Sequence, residues 1–332
     1  MLKNKLGLYL VTYNRAASLQ NTLEALAKSP FAGCRLTILD NCSSDGTAAV
    51  CAAYAKRFPD FIVRRHERNI TGNYNYLRAV EMADTEYAWI LCDDDRYDFG
   101  ASGDVIAAVE EGTADAVLFW SPSSRAVSRQ GRMEAIPSSK MPFSPGGPVR
   151  GKMLAASWLV AEGIPLHTIM SFWPSCIFRT SCVDSACLHE AYGIASDGFP
   201  VFPLINKLIA ANANIYYSVG DMVTATAGNY RAVYLDFMAG WLKTCRTIKD
   251  ARLRTDAVSQ IFQGKGVVKS VARSIMSARA AGYEFVGSEL LSVFPLLGWM
   301  DRLKMLFMLP LLLVPRFVWV RLERAWLSRR GY

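Results

Sequence analysis

The stretch Tyr87-Ala88-Trp89-Ile90-Leu91-Cys92-Asp93-Asp94-Asp95 decides how this chain is read. The apolar run is too short for an ordinary helix and suits a strand buried on both faces. Three adjacent carboxylates close it. Such a triplet repels itself unless a cation neutralises it. Hard oxygens favour Mg²⁺ or Mn²⁺, held together with substrate phosphates. An ordinary acidic turn is the plain alternative. The triplet's place directly after a strand favours a site, because ligands of open α/β sheets gather where the strands end.

Outward from there, the pattern repeats. Leu6 to Val11 predicts a buried strand that runs into Thr12-Tyr13-Asn14. Ser18 reads as an N-cap, with Leu19, Leu23 and Leu26 on one helical face and Ser29-Pro30 as the stop. Leu36 to Leu39 predicts a second strand, ending in Asp40. A helix over Thr47 to Phe58, a strand over Phe61 to Arg64 and a helix over Asn73 to Ala83 follow. Strands alternating with helices predict an α/β fold with a largely parallel sheet. Three polar clusters then meet on one rim: Thr12-Tyr13-Asn14, Asp40-Asn41 and Asp93-Asp94-Asp95. A carboxylate at Asp40 can accept an N–H from a base edge, and Tyr13 offers its ring to the same base. A capped turn and a core tyrosine are the alternatives at these two positions.

Further along, Ser, Pro and Gly crowd 121–151, which marks a loop or a seam. Ser171 to Phe178 and Ile215 to Val219 read as strands, with a helix from Phe202 to Ala211 between them. The stretch 234–281 reads as mostly helical.

Taken together, LYLVTYNRAASLQNTLEAL, LTILDNCSSDGT and NITGNYNYLRAVEMADTEYAWILCDDD resemble the family 2 glycosyltransferases of GT-A fold. The resemblance is close over the first third of the chain and looser to about residue 230. The wording WILCDDD also resembles the branch that includes abequosyltransferase-like O-antigen enzymes. The resemblance implies a GT-A type, Rossmann-like nucleotide-binding sheet with a mixed acceptor region and a helical C-terminal tail. It divides the chain into a nucleotide-sugar-binding half (1–125), an acceptor-binding half (126–235) and a helical, membrane-associating region (236–332).

Position by position, it implies that Thr12, Tyr13 and Asn14 border the base and that Asp40 binds it, with Asp45 in the adjoining loop. Asn73 stands where relatives approach the nucleotide or its ribose. Asp93 and Asp95 match the D-x-D pair that serves ribose, sugar and metal. Asp94 takes either role if the register slips by one. The implied cofactors are Mg²⁺ or Mn²⁺ and a nucleotide sugar, a UDP-sugar before a CDP-, dTDP- or GDP-sugar. In the family, an Asp or Glu about a hundred residues beyond the D-x-D removes the acceptor proton, as inverting transfer requires. Asp197, in Ala195-Ser196-Asp197-Gly198-Phe199-Pro200, stands at that distance, with Glu190 as the substitute. Trp173 either floors the acceptor sugar or packs in the core.

Composition narrows the setting. Of 332 residues, 52% are hydrophobic and 20% charged, which excludes global disorder. The eight cysteines form no C-x-x-C pair, which argues against zinc and against a disulfide framework. Three histidines exclude a histidine-rich metal centre. The apolar run at the start is too short for a signal peptide.

Net charge is +8, but 299–332 alone carries seven basic and two acidic residues. The rest is nearly balanced, so nucleic acid is not an expected partner. The tail's MLFMLPLLLVP makes roughly 16 Å of helix, against the about 30 Å of a bilayer core. Trp319, Leu322 and Trp326 recur at helical spacing among Arg316, Arg321, Arg324 and Arg329. That pattern predicts a helix lying on an anionic membrane; a helix packed on its own domain is the alternative.

The expected function is therefore an inverting, metal-dependent glycosyltransferase, peripheral on the cytoplasmic face of the bacterial inner membrane. It would use a polyprenyl-linked or oligosaccharide acceptor in surface polysaccharide assembly (O-antigen, capsule or exopolysaccharide). A non-catalytic nucleotide-sugar-binding scaffold is the alternative. A sugar nucleotidylyltransferase would want a G-x-G-x-R loop after the first strand, where this chain has TYNRAAS.

Overall fold

A computed structural model describes residues 1–120, 126–127, 133–134, 147–196, 198–224, 239–261, 294, 299–307, 310 and 313–328. The chain forms two compact units, 1–196 with 200–227, and 228–332 with 197–199.

The first unit is organised by one sheet. Its strands are β1 (Leu6–Thr12), β2 (Arg35–Asp40), β3 (Phe61–Arg65), β4 (Tyr87–Cys92), β5 (Ala116–Leu118), β6 (Lys152–Ala155), β7 (Cys176–Arg179) and β8 (Asn214–Tyr217), in the order β3-β2-β1-β4-β7-β5-β8-β6. The β3-β2-β1-β4 half is parallel throughout. β7 runs antiparallel to both its neighbours, and β6 antiparallel to β8. The sheet is thus parallel in its first half and mixed beyond it, the expected arrangement. It also runs through both segments that the sequence divides at residue 125.

Helices α1 (Ala16–Ala27), α2 (Thr47–Tyr54), α3 (Gly72–Glu81), α4 (Gly103–Glu111), α5 (Ala156–Ala161), α6 (Leu166–Met170), α7 (Ser185–Ile194) and α8 (Phe202–Ala210) connect or flank the strands. Every residue of β1 is buried, the signature of a strand covered on both faces. Beside it, Trp89 of β4 is fully buried, with Phe31, Phe99 and Phe119 edge-on at 5.3, 6.1 and 5.0 Å between ring centres. Its indole N–H donates to the Pro174 carbonyl at 3.0 Å. Each such ring pair contributes about 0.5–1.5 kcal/mol beyond burial, so this cluster pins β4 and the acids that follow it.

Two sequence expectations shift. α1 opens at Ala16, two residues before Ser18, with Arg15 as its N-cap. The first free helix amide, on Ala16, donates instead to Asp45 Oδ2 at 2.9 Å, so a residue from the β2–α2 loop does the capping. The strand expected from Ser171 shortens to Cys176–Arg179 because Trp173–Ser175 form a 3₁₀ turn around Pro174, which has no N–H to donate to a ladder.

The second unit contains a helical stretch at 239–245 and helices α9 (Ala251–Ile261), α10 (Trp299–Leu306) and α11 (Arg316–Ser328). Trp241 is buried and donates to the Ala257 carbonyl at 2.7 Å. Trp319, expected as a membrane anchor, is instead turned inward, 4% exposed, and donates to the Val314 carbonyl at 3.0 Å. The large apolar residues that α10, α11 and their link expose are others, among them Trp299, Phe307, Leu313 and Phe317. Leu322 is half exposed, and the Trp326 side chain lies outside the described residues. Among the described residues, no helix is long and apolar enough to cross a membrane.

Candidate active site

Strand register builds the site. Pairing of β1 with β2 sets Thr12 beside Asp40, and pairing of β2 with β3 sets Asp40 beside Arg65. Pairing of β1 with β4 sets Val11 beside Cys92, so Asp93 leaves the sheet level with Thr12. A row of Arg65, Asp40, Thr12 and Asp93 crosses the C-terminal ends of four parallel strands, where α/β sheets bind ligands.

At the β4 end, Asp93 turns inward and its side chain is 1% exposed. Thr12 Oγ1 donates to Asp93 Oδ2 at 2.6 Å, and the Arg15 guanidinium donates to Oδ1 at 3.1 Å. Thr22 Oγ1 donates to the Asp93 carbonyl at 3.1 Å. Burial pushes the Asp93 carboxyl up to about 6 against the pull of Thr12 and Arg15, with neighbouring Asp94 adding to the rise.

Asp94 turns outward, its Oδ2 2.8 Å from the same Arg15 nitrogen. Cys92, Asp94 and Asp95 each offer one ligand atom, all within 4.8 Å of one another. Two carboxylate oxygens fit Mg²⁺ or Mn²⁺ better than the softer thiol beside them does. Asp93, expected as a ligand beside Asp95, is not one of these three groups but lines the cleft next to them. Asp93 faces inward, with one oxygen accepting from Thr12 and the other from Arg15.

At the β2 end the polar groups interlock. Asp40 is buried. One of its oxygens accepts the Ser43 N–H at 2.9 Å, and the other lies 3.3 Å from Arg65 Nε. Asn41 donates to Asn69 Oδ1 at 2.9 Å and to the Thr71 carbonyl at 3.2 Å, and accepts the Ile70 N–H at 2.8 Å. Asn75 donates to the Leu39 carbonyl at 3.1 Å and meets His66 Nε2 at 2.9 Å. Asn14, Cys42 and Thr71, in the loops after β1, β2 and β3, all have positive φ (50°, 67° and 69°). That conformation costs a β-branched residue such as Thr71 on the order of 1–3 kcal/mol, and such strain clusters at functional sites.

Between the two ends lies a cleft of about 390 Å³, walled by Tyr13, Asn41, Thr71, Asp94 and Trp173, with Asp93 in its floor. Its size suits a small-molecule ligand. Residues 8–155, which include every one of these except Trp173, match the family described as Glycosyl transferase family 2. Over this segment, a little under half of the chain, the sequence is similar to that family, and the sheet it forms is of the mixed α/β, Rossmann-like kind.

Solved structures share the fold. S. aureus TarS 1-349 in complex with UDP-GlcNAc aligns at TM-score 0.54 and 17% identity, over 88% of this chain and 79% of that one. The mannosyltransferase PcManGT from Pyrobaculum calidifontis, in complex with GDP-Man and Mn²⁺, aligns at TM-score 0.53 and 12% identity, over 87% and 79%. Against the longer TarS structure, TM-score 0.53 and 18% identity, the match covers 89% of this chain and 48% of the other. No curated protein matches the sequence.

The remaining expected site residues distribute as follows. Tyr13 lines the cleft and is 42% exposed, so it is not a core tyrosine. Asn14 is turned away to stitch two loops, accepting the Ser44 N–H at 2.7 Å. Asn73 reaches the Ala195 carbonyl at 2.9 Å, and Asn41, Asn69 and Asn75 line the cleft. Trp173 stacks on buried Tyr76 at 4.4 Å and lines the cleft. Glu190 is exposed on α7, and Asp197 lies outside the described residues. Sequence reading gave Arg15 no role. Its signal was present, a lone cation directly after Thr12-Tyr13-Asn14 on an acidic rim, but strand register was needed to bring it to the acids.

Proposed function

We propose that this chain transfers one sugar, with inversion, from a nucleotide sugar to a polyprenyl-linked or oligosaccharide acceptor in bacterial surface polysaccharide assembly. The observation that carries this reading is that Asp94, whose ligand atom lies within 4.8 Å of those of Cys92 and Asp95, lines the same cleft as Tyr13 and three asparagines, nearly all of it within the matched segment. A UDP-sugar is the first donor to consider, before CDP-, dTDP- or GDP-sugars. Tyr13 stacks on the base, and the Asp40–Asn41 corner holds its edge through the interlocked loops. Asp94 and Asp95 hold Mg²⁺ or Mn²⁺, which when bound stabilises the charge on the departing diphosphate. The acceptor oxygen attacks the anomeric carbon as the bond to the diphosphate breaks, and Asp197 takes the hydroxyl proton. Trp173 presents its ring to the acceptor sugar.

The exposed apolar residues of α10 and α11 sit among Arg302, Lys304, Arg316 and Arg321. This supports a peripheral seat on an anionic membrane, at the cytoplasmic face of the inner membrane. Arg316→Glu with Arg321→Glu should weaken binding to vesicles containing phosphatidylglycerol; unchanged binding removes the membrane from the reading.

The main test is a panel of nucleotide sugars with Mg²⁺ or Mn²⁺, read by thermal shift and by nucleoside diphosphate release in the presence of polyprenyl-linked acceptors. One donor should stabilise the protein and be turned over. A panel with no stabilising donor rejects the reading. Asp197→Asn should bind that donor normally and lose transfer; full turnover would pass the role to Glu190, tested in turn as Glu190→Gln.

A further inference from the structure

One guanidinium nitrogen of Arg15 lies between two carboxylates, 3.1 Å from Asp93 Oδ1 and 2.8 Å from Asp94 Oδ2. Asp94 is at the same time one of the three groups whose ligand atoms converge within 4.8 Å. Arg15 therefore already supplies positive charge at the acids where a divalent cation would sit. The Arg15 side chain is half exposed and lines the cleft, at the N-cap of α1. Its contact with Asp94 is made at the cleft surface, where Asp94 is itself 40% exposed. Its planar fork matches phosphate as well as carboxylate.

We infer that Arg15 is a resident counter-ion that is exchanged. In the nucleotide-free protein it occupies Asp94 and opposes metal binding. When a nucleoside diphosphate enters, its oxygens draw the guanidinium off Asp94, and the freed carboxylate accepts the cation. Two like charges, the guanidinium and a divalent cation, do not then share one carboxylate. Metal and diphosphate consequently help each other bind, and by linkage the help is equal in both directions. Arg15 acts here as a positioning residue for the donor, a role that rests on the metal-dependent reading above.

The test measures Mn²⁺ affinity directly, by the electron paramagnetic resonance signal of free Mn²⁺, with and without UDP or GDP. It compares wild type with Arg15→Gln and Arg15→Lys. Without nucleotide, Arg15→Gln should bind Mn²⁺ about tenfold more tightly than wild type, within the usual range of coupling between sites. The nucleotide should tighten Mn²⁺ binding in wild type and do so far less in Arg15→Gln. Arg15→Lys keeps the charge without the two-carboxylate bridge, so both effects should be smaller but in the same direction. It also keeps the test open should the Gln variant fold poorly.

Mn²⁺ affinity in both variants equal to or weaker than wild type, with wild-type coupling to nucleotide, overturns the inference and leaves the metal-dependent reading standing. Absence of Mn²⁺ binding in wild type, with either nucleotide present, removes that reading and the inference with it.

Discussion

Two aspartates leave one edge of the same sheet, and their surroundings differ in kind. Asp40 at the end of β2 is met by a backbone N–H from the loop that follows it and by Arg65, its register neighbour across the sheet. Asp93 after β4 is buried as deeply but is met by a hydroxyl and by a guanidinium that it shares with Asp94. The first end satisfies its carboxylate with fixed local geometry. The second gathers two carboxylates around one cation and leaves Asp93 holding its proton up to about 6. The contrast separates a wall that holds shape from a floor whose charge changes with what is bound there.

The largest effect expected from breaking this contrast is at the outward acids. Asp95→Ala, and separately Asp94→Ala, should lower the rate of sugar transfer by about 10²–10³-fold, the usual cost of removing one charge-stabilising group from a transition state. Nucleoside diphosphate release measures it. Activity within a factor of a few of wild type would place the metal elsewhere.

Next comes the pH dependence of folding. An unperturbed aspartate releases its proton near 3.8, whereas Asp93 in the fold does so at about 6. Between these values the folded state binds more protons than the unfolded one, so stability falls as pH rises. The contribution of protonated Asp93 is complete below about pH 4 and is lost through about pH 6, amounting to on the order of 3 kcal/mol for two units. Urea unfolding of metal-free wild type and Asp93→Asn should diverge across this window, with the variant gaining relative stability as pH rises. Parallel curves would show that the Asp93 carboxyl titrates at its ordinary value.

Thr12→Val removes a hydrogen bond to a buried carboxylate and should cost about 1.5–3 kcal/mol at neutral pH. It should also raise the Asp93 midpoint further, because Thr12 pulls that value down. The smallest effect belongs to the β2 end. Asp40→Asn keeps an acceptor for the Ser43 N–H and loses the charge facing Arg65, whose side chain is 55% exposed. A pair screened to that degree contributes about 0–1 kcal/mol. A loss as large as that of Thr12→Val would erase the difference between the two ends.

The sequence made one half of this picture legible and hid the other. Buried parallel strands advertise themselves as apolar runs, so β1, β2 and β4 and their polar ends could be read directly from Leu6 onward. β7 could not, because its apolar stretch is cut by the turn at Pro174, and its antiparallel insertion between β4 and β5 is a long-range choice with no local mark. The acids were legible as a set, but not which faced inward. That depends on where β4 stops relative to Thr12, a matter of register. Arg15 and the asparagines at 41, 69 and 75 come together from three loops and helix α3, and no spacing in the chain announces their meeting.

The central claim is tested most directly by thermal shift of the wild-type protein with its donor nucleotide sugar, with and without Mn²⁺, beside the Asp94→Ala and Asp95→Ala variants. The account predicts that Mn²⁺ and donor together raise the melting temperature well beyond the sum of their separate effects in wild type, and that neither variant shows this gain. Equal stabilisation by the donor without metal, or an undiminished joint gain in both variants, would contradict it.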